Sequence, residues 1–511
     1  MGFKRIQLQM PTSYREVYLE QRIRKMLGIR QFSWEIENKA LDARKKDHIH
    51  WQMRVLVHSP ELKGPDADPI PVLQIPYAKR TEKAVVVGSG PAGFFAAFVL
   101  QKAGYQTTLI ERGADVDKRS QSITTFETSG KFDPLGNYAF GEGGAGTFSD
   151  GKLTSRSKRI SVEKRFILQT YVDAGAPEEI KYLTHPHLGS DKLREIVKVM
   201  RRQFQELGGT VLFETNAIDF NLKGTRVNEI ITDKGSFEAD YFVYAIGHAA
   251  FETYRKLMQK GLRFHTKNFA LGSRVEHPQT LINEAQWGVP SLQGVKAAEY
   301  RLTSQSDKNH PVYTFCMCPG GTIVPATAYE NQNIVNGMSL YQRDGKFANA
   351  ACVAGLNLNQ LLGREVSAPE TLDWLEKLEA EFYEKAGGYA APFCSIEDFI
   401  RGSMPKQTPE TSFPMGLLPA PLWEWLPQSV SRAMRTGLKA FSKKVKGFEK
   451  GTIMGLESKT SAPIQVDRNE NGRCAGYENL YMVGEGSGYT GGIISSAADG
   501  IKAAMAIVLG K

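Results

Sequence analysis

The most constraining stretch of the chain is Gly88-Ser-Gly90-Pro91-Ala92-Gly93. An apolar strand pattern, Ala84 to Val87, runs into it, and an apolar helix pattern, Phe94 to Lys102, runs out of it. Each glycine has its own reason to lack a side chain. Gly88 allows the tight turn, Gly90 lets backbone approach a pyrophosphate, and Gly93 allows the helix to lie close on the strand. The helix N-terminus adds free N–H groups and a partial positive charge. Glu111, followed by Arg112, closes a second strand, where a carboxylate can accept hydrogen bonds from ribose hydroxyls. The stretch therefore predicts a βαβ unit that binds a dinucleotide. Two further matches to the same spacing, Gly141 to Gly146 and Gly486 to Gly491, lack the strand, turn and helix setting.

A second strand and acidic turn lie near the C-terminus, Asn479-Leu-Tyr-Met-Val-Gly484-Glu485-Gly486, with Gly491, Gly492 and Ile493 opening the next helix pattern. This arrangement resembles the C-terminal motif of the two-dinucleotide-binding flavoproteins of glutathione-reductase type. The resemblance implies that the dinucleotide is FAD. It also implies that Glu485 holds the ribityl or pyrophosphate region and that the helix from about Gly492 aims its first N–H groups at the flavin, favouring the reduced, anionic ring.

A third segment, Ala239-Asp240-Tyr-Phe-Val-Tyr-Ala245-Ile246-Gly247, resembles the same group's acid, apolar strand and Ala-Thr-Gly element, with Ile246 in place of threonine. Before it, Gly209 to Ile218 resembles the strand and turn whose backbone reads adenine, which implicates Ala217 and Ile218. The phrases GEGGAGTFSDGKL (141–153), SRVEHP (273–278), FCMCPGG (315–321), NGMS (336–339) and ESKTSAP (457–463) are similar to a family usually labelled FAD-dependent, or NAD(FAD)-utilizing, dehydrogenases. That likeness spans nearly the whole chain and implies a cofactor without implying a substrate.

The periodicities divide the chain. Residues 1–60 read as strand, helix, strand, strand, a small α+β domain resembling part of a ferredoxin-like fold. Residues 61–80, with Pro65, Pro69, Pro71 and Pro76, read as a proline-rich linker. Residues 81–260 form the first part of a Rossmann-like FAD-binding domain, 261–445 an inserted, mainly β substrate domain, and 446–511 the returning C-terminal part of the FAD-binding domain. The expected class is α/β.

Several residues are candidates for chemistry. Gly143 and Gly144 suit a loop passing close to the flavin ring, where Thr147, Ser149 and Lys152 offer donors. Cys316 and Cys318, beside a Pro-Gly-Gly turn, suit a reducible pair; equally, alternate residues of a strand point one way and both thiols can be buried small side chains. Arg274 and His277 suit an anionic substrate or a proton relay, although Arg274 can also pair with Glu276. The His48/His50 and His185/His187 pairs lack nearby cysteines or clustered acids, so no metal site is expected.

Length and composition set outer limits. A chain of 511 residues is too long for one core, and 41% hydrophobic with 23% charged residues is ordinary for globular proteins. No apolar run approaches the roughly 20 residues of a membrane-spanning helix. The N-terminus lacks the pattern of a secretory signal, and five cysteines are too few and too irregular for a disulfide framework, so a cytoplasmic protein with free thiols is expected. The net charge of +9 is spread along the chain, with one cluster at Lys439 to Lys450 that reads as a solvated helix face; nucleic acid is not an expected partner.

The expected function is an FAD-dependent oxidoreductase passing a hydride or an electron pair through flavin N5 to or from a small-molecule substrate. No second dinucleotide motif is present, so NADH or NADPH would bind transiently in the flavin cleft, or a redox protein partner would exchange electrons. Two other readings stay open at this point: a flavin-dependent enzyme modifying RNA, docked by the basic N-terminal unit, and a redox sensor or electron carrier.

Overall fold

In the computed structural model the described residues are 2–64, 70–155, 157–305 and 310–511; Pro65 and Pro69 of the expected linker lie outside them. The N-terminal unit contains strand Gly2–Pro11, helix Glu16–Leu27, and strands Ser33–Asp42 and His50–Ser59. The last strand is central and antiparallel to both others. Leu19 and Ile23 of the helix and Ile6, Leu8, Met53, Val55 and Val57 of the sheet close a core of their own. The unit docks through its edge: Lys39 N donates to Tyr182 O at 2.9 Å and Thr184 N to Lys39 O at 3.0 Å.

In the connection that follows, residues 70–82 carry no helix or strand. Its end is pinned to the first helix of the next unit, where Ala78 N donates to Ala103 O at 3.2 Å and the Arg80 guanidinium stacks 4.6 Å over Tyr105.

A five-stranded parallel sheet follows, in the order Leu480–Met482, Tyr241–Tyr244, Lys83–Val87, Gln106–Ile110, Thr210–Leu212. An antiparallel meander, Ala217–Lys223, Arg226–Thr232 and Gly235–Glu238, forms a separate three-stranded sheet inserted in the chain between Thr210–Leu212 and Tyr241–Tyr244. Helix Pro91–Lys102 is apolar nearly all round because it is enclosed, by the sheet on one side and by helix Ile493–Val508 on another. Small residues set that closeness: a Cβ on Gly93 would meet Gly88 O at 1.8 Å, and one on Gly500 would meet Ala92 O at 2.0 Å.

The middle unit is built on a seven-stranded mixed sheet in the order Thr303–Gln305, Pro311–Cys318, Phe347–Leu356, Phe269–Pro278, Thr452–Glu457, Ala391–Ser395, Leu417–Pro419. Helix Gln428–Lys444 covers it with Val430, Met434, Leu438 and Phe441, and leaves Lys439, Lys443 and Lys444 in solvent, as the amphipathic pattern predicts. One expected boundary shifts. Thr452–Glu457 falls in the segment assigned to the returning FAD-binding part, yet it pairs with Phe269–Pro278 and Ala391–Ser395 inside the middle sheet. Its six residues are all buried, so apolarity alone could not tell one sheet from the other.

Among the described residues no helix is long and apolar enough to cross a membrane.

Candidate functional site

The C-terminal ends of the three strands Lys83–Val87, Tyr241–Tyr244 and Leu480–Met482 open onto one cleft of about 1710 Å³. Its opposite wall comes from the middle unit, through Phe315, Cys316, Ala326, Ala328 and Asn336. This is the crevice beyond the carboxyl ends of parallel strands where open α/β sheets bind nucleotides. Gly88, Gly90, Pro91, Ala92, Glu111, Arg112, Gly144, Ser149, Lys152, Ala217, Gly247, Cys316, Gly484, Glu485, Gly492 and Ile493 all line it. The two glycine turns, far apart in sequence, thus share one space.

The turn after Val87 is fixed by backbone chemistry. Gly88 sits at φ +101°, and a Cβ there would meet Ala245 O at 2.4 Å, so only glycine fits. Gly90 differs: the nearest atom to an added Cβ is Gly144 Cα, 3.7 Å away, so this position faces open cleft. At the other end Gly492, at φ +83°, opens helix Ile493–Val508 with no side-chain cap, leaving the first-turn N–H groups to whatever occupies the cleft. Tyr254 ties the strand ends together, donating to Gly486 O at 2.8 Å and lying 3.1 Å from Gly247 O.

Glu111 is more occupied than the sequence implies. One carboxylate oxygen accepts from Ser89 N and Oγ at 2.9 and 2.8 Å, the other from Gly113 N and Gly141 N at 2.9 and 3.1 Å. The side chain therefore braces the glycine turn against the 141–146 loop, and only the rotatable Ser89 hydroxyl can release an acceptor position to a ribose. Arg112 is the freer group. Its guanidinium stacks 4.0 Å over Phe140, and its Nε and Nη1 are buried without a partner.

Lys152 enters the cleft on an ionic base. Its Nζ lies 2.8 Å from Asp150 Oδ2 and also donates to Met317 O. Asp150 is fully buried, but Lys152 and Arg343 outweigh that desolvation and keep it ionised well below the usual carboxylate range. The positive charge on Lys152 is in turn held by Asp150 against its own burial.

Cys316 sits at φ +43°, in a bulge where the pairing of Pro311–Cys318 with Phe347–Leu356 shifts between Phe315 and Cys318. Behind it Arg274 is wholly buried. Its Nη1 pairs with Glu457 at 2.8 Å, its Nε with Asn349 Oδ1 at 2.9 Å, and its Nη2 donates to Cys316 O at 2.6 Å. A hydrogen bond from Cys318, joined by the charges of Lys152 and Arg274, draws the Cys316 thiol below the usual thiol range, while burial raises Cys318.

Other expected residues lie elsewhere. His277 is not in the cleft: it is 1% exposed, its ring tilted against Phe448 at 4.6 Å, with Nε2 against Phe448 O at 2.8 Å. Burial lowers it to about 4, so it stays neutral in the core. Arg274 reaches no open space and cannot meet a substrate; its partner is Glu457, not Glu276, whose carboxylate accepts instead from Thr411 and Ser412. Cys318 is fully buried, beneath the wall that Cys316 faces. Gly143 and Thr147 lie under the loop, where the Thr147 hydroxyl is committed to Glu142 O at 3.2 Å. Gly93 and Gly491 support the turns without lining the cleft, and Ile218, 41% exposed, points outside it.

Two cleft residues escape the sequence reading. His248, directly after Gly247, has Nδ1 3.4 Å from Glu485 Oε2 and a buried, unpartnered Nε2. Lys459, within the ESKTSAP phrase, lies 2.8 Å from buried Glu379 and 4.0 Å over the Phe251 ring. Position after the third strand's glycine was the available signal for His248; nothing local marks Lys459.

The cleft fits an FAD by three features: its lining by both glycine turns, the open cradle at Gly90, and the unpartnered Arg112 nitrogens.

Comparison with known proteins agrees. Residues 81–248 match the family described as FAD binding domain, and residues 268–460 the family described as FAD-dependent protein, C-terminal domain-like. Over 49 residues, 10% of this chain and 11% of the relative, it is 49% identical to a D-amino acid dehydrogenase of Vibrio vulnificus. Among solved structures, L-proline dehydrogenase from P. horikoshii (TM-score 0.36, 15% identity, covering 85% of this chain and 95% of that one) and glycine oxidase from Bacillus cereus (0.33, 11%, 84% and 95%) superpose too loosely to bear on the substrate. An uncharacterized protein of Clostridium beijerinckii is 37% identical over 497 residues, 93% of this chain and 92% of its own. With that relative along nearly its whole length, and with the two FAD-domain matches over residues 81–248 and 268–460, the chain belongs to this family of FAD-dependent proteins.

Proposed function

We propose that the cleft holds FAD with its adenosine diphosphate half along the 88–93 turn, Arg112 and residues 215–217, and with its ring between the 144–152 loop, the 492–493 helix start and the Cys316 wall. The observation that carries this reading is the convergence of the Gly88–Gly93 and Gly484–Ile493 turns on one cleft. The arrangement is that of the glutathione-reductase type in its FAD half.

FAD supplies two-electron chemistry at N5 when bound. The chain's own residues do the rest. Arg112 neutralises phosphate charge, and Glu111 keeps the Ser89 turn in place. The Ile493–Val508 helix start and Lys152 place positive charge where a reduced ring gains negative charge. Glu485 and His248 close the pyrophosphate side. Phe315, 44% exposed at the cleft wall beside Cys316, offers an aromatic face to a small-molecule substrate.

With no second dinucleotide motif, NADH or NADPH enters this same cleft, or a redox protein delivers electrons at its mouth. Five unpaired cysteines suit a reducing, cytoplasmic setting. The N-terminal unit, with its last strand central, is read as the first half of a ferredoxin-like fold that braces the 182–184 segment. Residues 61–80 act as the linker and 261–445 with strand Thr452–Glu457 as the substrate unit.

Anaerobic titration of the purified protein with NADH and NADPH, following flavin absorbance, tests the reading. Bleaching by one of them identifies the donor. Bleaching by neither, in protein that dithionite reduces, assigns the donor role to a protein partner.

A further inference from the structure

The bulge at residues 315–318 separates two thiols that a regular strand would treat alike. Cys316 lines the cleft, while Cys318 is buried behind it with its Sγ 3.3 Å from Cys316 O. One buried guanidinium joins the two residues: Arg274 Nη2 donates to the backbone carbonyl of Cys316 at 2.6 Å and lies 3.5 Å from Cys318 Sγ. Lys152 reaches the carbonyl of Met317, the residue between them. Two cations anchored within the 316–318 segment favour the thiolate that redox exchange requires. The other cysteines have no such setting. Cys352, Cys394 and Cys474 are buried, and burial pushes the thiols of Cys352 and Cys474 up to about 12.

We propose that Cys316 and Cys318 form a dithiol that exchanges an electron pair with the flavin of this cleft, Cys316 meeting a small disulfide or thiol substrate and Cys318 acting as the resolving thiol. The proposal rests on the reading of the cleft as an FAD site. In the oxidising direction the Cys316 thiolate and the Cys318 thiol join as a disulfide, and the electron pair and the Cys318 proton pass to oxidised flavin. In the reducing direction the Cys316–Cys318 disulfide would take that pair and the Cys318 proton back from the reduced cofactor and open. The Cys316 thiolate then attacks a substrate disulfide and releases one substrate thiolate. Cys318 attacks the Cys316 sulfur of the mixed disulfide and releases the second, re-forming the Cys316–Cys318 bond. A bond between residues two apart closes a small ring, and strained bonds of that kind are the readily exchanging class.

Thiols are counted by alkylation under denaturing conditions with peptide mapping, in protein treated with diamide and in protein reduced with dithiothreitol. In parallel, oxidised holoprotein is titrated anaerobically with dithionite. The expected result is loss of two of the five thiols after diamide, both mapped to Cys316 and Cys318 and linked to each other. Dithionite then supplies a second electron pair per flavin beyond the pair taken by flavin itself, and Cys318→Ser removes that second pair while FAD stays bound. Five free thiols after diamide, or a single pair per flavin in oxidised wild type, in yellow protein, overturns the dithiol and leaves the FAD reading intact. Colourless protein that refuses added FAD overturns the FAD reading and the exchange with it, whatever the thiol count. Both decisive measurements use wild type, so a variant that fails to fold does not blunt them.

Discussion

Arg274 and Cys316 are joined by one short hydrogen bond, Nη2 to carbonyl oxygen at 2.6 Å, and it lies at the inner end of a buried ion pair with Glu457. The backbone at Cys316, in a conformation that side-chain-bearing residues rarely adopt, is thereby anchored to the centre of the middle sheet.

Arg274→Met should destabilise the protein by about 3–5 kcal/mol, because it strands Glu457 as an uncompensated buried carboxylate. Burial already raises Glu457 against the pull of Arg274, so loss of the arginine drives it neutral. Arg274→Met with Glu457→Leu should regain a large part of the loss. Urea unfolding of the single and double variants checks both statements.

How much of this was legible beforehand depends on the range of each interaction. The turn at Gly88–Gly93 is a local device, with strand, glycines and helix contiguous in sequence, and it was readable. The placement of Gly484 to Ile493 was readable for the same reason. Arg274 pairs with Glu457, 183 positions away on a strand with no local mark of its sheet, whereas Glu276 lies two residues off in plain view. His277 looked like a titrating group because its burial against Phe448 comes from tertiary packing. The bulge that turns Cys316 toward the cleft has no residue signature in a run of strand formers, so strict alternation was the natural expectation.

The two turn glycines should respond differently to substitution. Gly93→Ala forces a Cβ to within 1.8 Å of Gly88 O and should destabilise the fold by about 1–3 kcal/mol or prevent it. Gly90→Val meets no protein atom closely at its Cβ and should keep the melting temperature near that of flavin-free wild type while losing FAD. Thermal unfolding and flavin content of the two variants separate a packing glycine from a ligand cradle.

Acid should weaken the fold through His277. Its folded value, about 4, lies below the ordinary 6.5, so between those limits the unfolded chain binds a proton that the folded one refuses. Stability from this residue is complete above pH 6.5 and falls as the pH drops toward 4, by at most about 1.4 kcal/mol per unit. His277→Phe should flatten that part of the stability profile, measured by urea unfolding at stepped pH.

Glu485→Ala should weaken FAD retention by about ten- to a hundredfold, the loss expected for a hydrogen bond to a charged group. It also leaves His248 without its acid partner. Equilibrium dialysis of added FAD against the variant checks the figure.

The central claim is that both glycine turns grip one FAD, and the most direct test is the flavin content of wild type beside Gly90→Val and Glu485→Ala, each verified as folded. The account predicts about one FAD per wild-type chain by absorbance, with both variants depleted. Colourless wild type that takes up no added FAD, or full flavin in both folded variants, would contradict it.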